Sequence, residues 1–131
     1  MLGKGLWLKN MTIFDSNAVL RYILQDNDKM AAATEMQIND NDCFIPTEVV
    51  AEMVYVLSKV YKIPRSEVSS AILGILSIES ISTTNFEMLL RGLEAYASTK
   101  LDFVDCLMVG YQESGYEVFT FDNDLQKYLK Q

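Results

Sequence analysis

Four carboxylates occupy stretches where chemistry is possible. Asp15 closes the apolar run Thr12-Ile13-Phe14 and leads into Ser16-Asn17 and a helical pattern; Glu52 lies in VVAEMVYVL, Asp105 in LDFVDCLM and Asp122 in VFTFDNDL. Asp15 and Asp122 each end an expected strand, and Asp105 falls in the first turn of the helix that feeds the last strand. In a parallel sheet such ends share one edge, the edge beyond which open α/β sheets bind ligands. Gathering acids there is costly, because two unit charges about 4 Å apart repel by roughly 4 kcal/mol at an effective dielectric near 20. A divalent cation removes that cost. Oxygen donors suit Mg²⁺ or Mn²⁺, and such an ion activates water and neutralises phosphoryl oxygens. The expectation is therefore one metal-binding pocket made by four acids, with one ion or two left open by the spacing.

Each acid also has a purely structural reading. Asp15 and Asp122 can cap helices, Asp102 and Asp105 can form the two halves of a helix start, and Glu52 can be a flank residue. Acids at helix N-termini are favoured by the dipole whether or not they do chemistry. It is their joint placement that favours a site. Around the four, Asp124 is placed to ligate directly or through water, and Asp102 to cap its helix and support Asp105. Ser16, Asn17 and Thr120 are hydrogen-bonding neighbours whose alternative role is turn and cap chemistry. Glu48, one turn before Glu52, reads as solvated.

Composition narrows the chemistry. The 131 residues contain no histidine, which excludes a Ser-His-Asp triad or Cys-His pair and disfavours zinc. With 18 acids against 11 bases the formal charge is −7, which argues against a general grip on nucleic acid through its phosphates. Local contact through bound cations remains open. Lys59, Lys62 and Arg65 make the one basic cluster, read as a solvated loop with RNA or partner contact as the alternative. Cys43 and Cys106 sit in apolar patterns and read as buried thiols in a reducing cytoplasm. No apolar stretch reaches membrane-spanning length. Residues 1–10, MLGKGLWLKN, read as an extension ahead of a single domain over 11–131, not as a signal peptide.

The elements that must position the acids follow from periodicity. A strand at 12–14 leads to helices near 17–24 and 29–38, and a strand at 43–45 closes at Pro46, which suits a helix start. The pattern Val49, Met53, Val56, Leu57, Val60 predicts a helix from Thr47 to Tyr61, with Glu52 half-buried on the border of the stripe. Helices follow at 65–78, from a Thr84–Glu87 capping box through Tyr96, and at 103–113, stopped by Gly115. A weak strand is expected at 79–82 and a last one at 117–121, then a terminal helix opened by Asp122 and ending in Leu129. Strands alternating with helices imply a parallel sheet in an α/β fold.

The segments FDSNAVLRYILQD, IPTEVVAEMVYVLSKVY, LDFVDCLMVGYQESG and VFTFDNDL, in that order, resemble the PIN-domain family. More narrowly they are similar to the VapC-type toxin ribonucleases of bacterial toxin–antitoxin pairs, from Met11 almost to the C-terminus. The resemblance implies a three-layer α/β/α domain with a parallel sheet of about five strands. It implies a Mg²⁺- or Mn²⁺-dependent endoribonuclease whose first to fourth acids are Asp15, Glu52, Asp105 and Asp122. Asp102 and Asp124 match positions often acidic in the family. It also implies a homodimer, silenced by an antitoxin whose tail enters the acidic groove. Ser16 stands where Thr is more usual, a change that keeps the hydroxyl. Two rival readings are a phosphatase with a strand-end aspartate nucleophile, against which Asn17 replaces the acid wanted two residues on, and a silent PIN-like module that only binds a partner.

Overall fold

A computed structural model describes residues 11–129; the extension read over residues 1–10 lies outside the described residues. The chain falls into two compact units, the described parts of which are 11–53 with 74–84 and 54–73 with 85–129.

The first unit is built on strands β1 (Met11–Ile13), β2 (Asp42–Ile45) and β3 (Ile81–Thr83), in the order β1-β2-β3. Both pairings are parallel, with Ile13 opposite Phe44 and Ile45 opposite Thr83. Parallel strands need crossover helices, and the chain supplies α1 (Ser16–Leu24) and α2 (Asp28–Asp40) between β1 and β2. Helix α3 (Thr47–Tyr55) leaves β2, and α4 (Arg65–Leu76) precedes β3; the division between the units falls within these two helices. Asn27 caps α2 by accepting from the Met30 N–H at 3.0 Å. The Thr34 hydroxyl donates to the Ala18 carbonyl, tying α2 to α1. Val19, Leu20, Cys43, Ile45, Val50 and Met53 are all buried.

The second unit contains α5 (Phe86–Ser98), α6 (Phe103–Glu113) and α7 (Asn123–Tyr128). Helices α5 and α6 meet at two glycines: Gly110 lies against the Met88 carbonyl and the Gly92 backbone, where no side chain fits. Tyr96 and Phe103 stack edge to face with centroids 5.8 Å apart, and the buried Ser69 hydroxyl donates to the Leu93 carbonyl at 2.8 Å. Gly115, at φ +116, ends α6 as expected.

Four expectations change. The sheet has three strands among the described residues, not about five. Residues 117–121 alternate in sequence but join no ladder; their polar groups bond locally, the Thr120 hydroxyl accepting from the Asp122 N–H and the Thr120 carbonyl from Gln126. Such local bonds compete with strand pairing, and Phe119 and Phe121 are left 86% and 85% exposed. The cap of α5 is Asn85, not Thr84, its side chain accepting from the Met88 N–H at 3.1 Å. Glu87 instead pairs with Arg91 at 2.9 Å. Finally, α3 gives way to a π-helical turn over Val56–Val60. A π turn holds more residues than an α turn and shifts the phase of the stripe, so Leu57 stays buried while Val60 is 63% exposed.

Candidate acid site

Asp15 stands at the C-terminal end of β1 because the strand stops there and α1 begins. It is the α1 N-cap, in extended conformation, and its Oδ1 accepts from the Ala18 N–H at 2.9 Å. The cap uses one carboxylate oxygen. Asp15 is exposed, Ser16 behind it is buried, and Asn17 is exposed on the first turn of α1. A groove of about 430 Å³ opens beside Asp15, lined by Thr12, Ile13, Ala18 and Thr34 among others. Glu52 belongs to the same unit and is exposed on α3 rather than half-buried; Glu48 is exposed, as expected.

In the second unit Asp105 is half-buried in the first turn of α6. Burial pushes its carboxyl above the ordinary carboxylate range, and the charges of Asp122 and Asp102 push the same way. Asp122 caps α7, its Oδ1 accepting from the Leu125 N–H at 2.9 Å. Asp102 holds the cap position of α6, yet its side chain makes no capping bond. Its expected capping role is thus positional only. Asp124 is exposed, with Lys127 3.9 Å away.

The structure therefore brings Asp102, Asp105 and Asp122 into one electrostatic group, and carries Asp15 and Glu52 in the other unit. Among the described residues, no three Asp, Glu or Cys side chains stand in an arrangement that holds an ion. The donor chemistry nevertheless fits a hard cation. The capping bonds of Asp15 and Asp122 each occupy Oδ1, and the Asp105 carboxylate is crowded by like charge that a cation would relieve.

One polar group went unnoticed in the sequence. The Thr47 hydroxyl, at the first position of α3, is shielded from solvent and has no hydrogen-bond partner among the described residues. The available signal was its place as the first residue of the helix that follows a strand, as Ser16 is after β1.

Arg65 is withdrawn from the basic cluster. Its guanidinium lies 3.7 Å from the Tyr96 ring centroid, donates to the Tyr96 carbonyl at 2.8 Å, and also donates to the Leu101 carbonyl. Lys59 and Lys62 are exposed. Both cysteines are free and buried. Burial raises both thiols, with Asp42 adding to the effect at Cys43. Thiols so placed are inert as nucleophiles.

A parallel α/β unit with acids at strand and helix ends defines a class, and comparison with known families agrees. The PIN domain family profile matches residues 12–130, so the chain belongs to the PIN-domain family. It is also similar to a VapC ribonuclease of Aquifex aeolicus (strain VF5), at 24% identity over 101 residues, covering 74% of this chain and 75% of that protein. No solved structure matches. Among the described residues no helix is long and apolar enough to cross a membrane.

Proposed function

We propose that this PIN-domain protein is a divalent-cation-dependent endoribonuclease whose Mg²⁺ or Mn²⁺ is held by Asp15, Glu52, Asp105 and Asp122. The observation that carries the reading is the crowding at Asp105, whose carboxyl is raised by burial and by Asp122 and Asp102. Perturbed acids of this kind collect at functional sites, and here the family and the similarity to a VapC ribonuclease point the same way.

A bound ion would supply Lewis acidity toward a phosphodiester and lower the pKa of water. The protein's own groups bind and orient. Asp15 and Asp122 are pinned by the Ala18 and Leu125 N–H groups through one oxygen each, which fixes the direction of the other oxygen. Asp105 must be ionised to contribute, and Asp102 and Asp124 add negative potential that favours a cation. The acidic surface, with its net charge of −7, suits a basic antitoxin tail. On this reading the protein is the toxin of a type II pair, a cytoplasmic homodimer held silent by its antitoxin.

The test is purified chain, free of antitoxin, given structured RNA with Mg²⁺, Mn²⁺ or EDTA, beside Asp15→Asn and Asp105→Asn. Metal-dependent cutting lost in both variants is the expected result. Cutting that persists in EDTA or in both variants would overturn the reading. Phosphate release from small monoesters would indicate a phosphatase, and partner binding without turnover a silent module.

A further inference from the structure

The chain carries 18 acids against 11 bases, yet between Glu52 and Glu67 it has no acid and three bases, Lys59, Lys62 and Arg65. Arg65 is committed to backbone carbonyls and the Tyr96 ring. Elsewhere Arg21, Arg91 and Lys127 stand beside acids. Lys29, Lys59, Lys62 and Lys100 stand in no ion pair among the described residues. Of these lysines, Lys59 and Lys62 are close in sequence, and both are exposed.

The backbone displays them in a defined way. Tyr55 is helical, at φ −59 and ψ −50, and leads straight into the π turn Val56–Val60. Tyr55 and Lys59, four residues apart, therefore fall on one side of the helix. Tyr55 is 62% exposed, and Val60 and Tyr61, which follow Lys59, are exposed as well. The turn closes with the Tyr61 N–H donating to the Val56 carbonyl at 3.2 Å and the Ile63 N–H to the Leu57 carbonyl at 3.0 Å. Between these bonds Lys62 is held at φ 58, a left-handed conformation that suits glycine or asparagine better than lysine. The dipole at a helix C-terminus favours a cation, which accounts for Lys59. It does not require lysine at a position whose backbone disfavours it. Residues in strained conformations and π turns both gather at functional sites.

We propose that Tyr55, Lys59 and Lys62 are the contact for single-stranded RNA, the two ammonium groups taking backbone phosphates and the Tyr55 ring taking a stacked base. This role rests on the reading that RNA is the substrate, and it names how the strand is held. Charge complementarity carries it: an acidic surface repels phosphates, so a strand is drawn to the segment where lysines stand unpaired and acids are missing. Aromatic rings beside cations are the usual platform for unpaired bases, because every base has a face to stack.

The test is the binding of a labelled oligoadenylate to the full chain in EDTA, read by fluorescence anisotropy over a series of salt concentrations, with melting curves for every variant. Lys59→Gln and Lys62→Asn should each weaken binding and lower the slope of log affinity against log salt by about 0.7, the value for one phosphate on a single strand. Lys62→Asn should melt no lower than the parent, since asparagine accepts the left-handed backbone. Tyr55→Ala should weaken binding at least about fivefold, and Tyr55→Phe should leave it unchanged. Lys29→Gln, which removes one unpaired charge elsewhere, should keep the parent slope. An RNA duplex should bind less tightly than the single strand. Parent affinity and slope in both lysine variants overturn the contact, while Mg²⁺-dependent cutting by the same proteins leaves the nuclease reading standing. Weakening that only follows a lower melting temperature, or loss of a protein partner with RNA binding unmoved, also overturns it. A parent that binds RNA through these residues and cuts none with any metal overturns the nuclease reading and keeps the contact.

Discussion

Gly110 packs against Met88 so closely that a side chain at Gly110 would strike the Met88 carbonyl oxygen. The obstacle is backbone, with the Gly92 nitrogen 3.0 Å from the same point, so no rotamer change relieves it. Gly110→Ala should force α5 and α6 apart and destabilise by about 3 kcal/mol, at the upper end for overpacking. Gly74, exposed in the last turn of α4 with nothing near it, is the control. Gly74→Ala should stabilise by roughly 0.5–1 kcal/mol through helix propensity. Urea denaturation of the two variants and parent checks the order.

Arg65 should matter for folding and not for RNA. It holds two carbonyls and covers the Tyr96 ring, a planar geometry lysine cannot reproduce. Arg65→Lys should cost about 2 kcal/mol, the range for hydrogen bonds to a charged donor. The Mn²⁺ affinity and the salt dependence of RNA binding should stay as in the parent. A variant of unchanged stability with weakened RNA binding would return Arg65 to the basic patch.

Asn85 and Thr84 show how far the sequence could be read. A hydroxyl three residues before a glutamate gives the capping-box pattern, and Asn85 beside it offers an equally good cap; the choice depends on where β3 releases the chain, which no local pattern encodes. The same holds at the π turn, where periodicity carried on and the backbone did not. Strands β1 to β3 and the helix order were legible because apolar runs and caps alternate. Residues 117–121 misled because alternation reports a willing strand, not the presence of a neighbour to pair with. Asp15, Asp105 and Asp122 were legible as acids at element ends and Glu52 as a flank of a helical stripe, whereas the unpartnered Thr47 hydroxyl was not, since an unsatisfied hydroxyl exists only in three dimensions. Thr84→Ala should leave stability unchanged, and Asn85→Ala should lower it by about 1 kcal/mol.

Asp105 makes stability depend on pH in a definite direction. Its folded pKa is raised above the ordinary value, so between the two the native state holds more protons than the unfolded chain. Stability contributed by this group is then complete at acid pH below the unfolded value and is lost as pH rises through the folded one. In EDTA at neutral pH, Asp105→Asn should therefore melt above the parent. That advantage should shrink as the pH falls through the carboxylate range. Melting curves from pH 3 to 8 measure it, and an advantage that grows on acidification would contradict the cause assigned to the shift.

Asp15 and Asp122 cap helices and are proposed to hold an ion, and one substitution can separate the two roles. As caps they need a single side-chain oxygen facing an N–H, and asparagine supplies that as well as aspartate does. As ion holders they need negative charge, which asparagine lacks. Asp15→Asn and Asp122→Asn should each keep the melting temperature in EDTA close to that of the parent. Both should lose the stabilisation that added Mn²⁺ gives the parent, which by mass action is about 2.7 kcal/mol at a hundred times the dissociation constant. Alanine at either position should do something different, costing about 1 kcal/mol through the lost cap even without metal. If asparagine at Asp122 left the Mn²⁺ response intact while alanine destabilised the chain, Asp122 would be a helix cap alone and the ion would belong to the remaining acids.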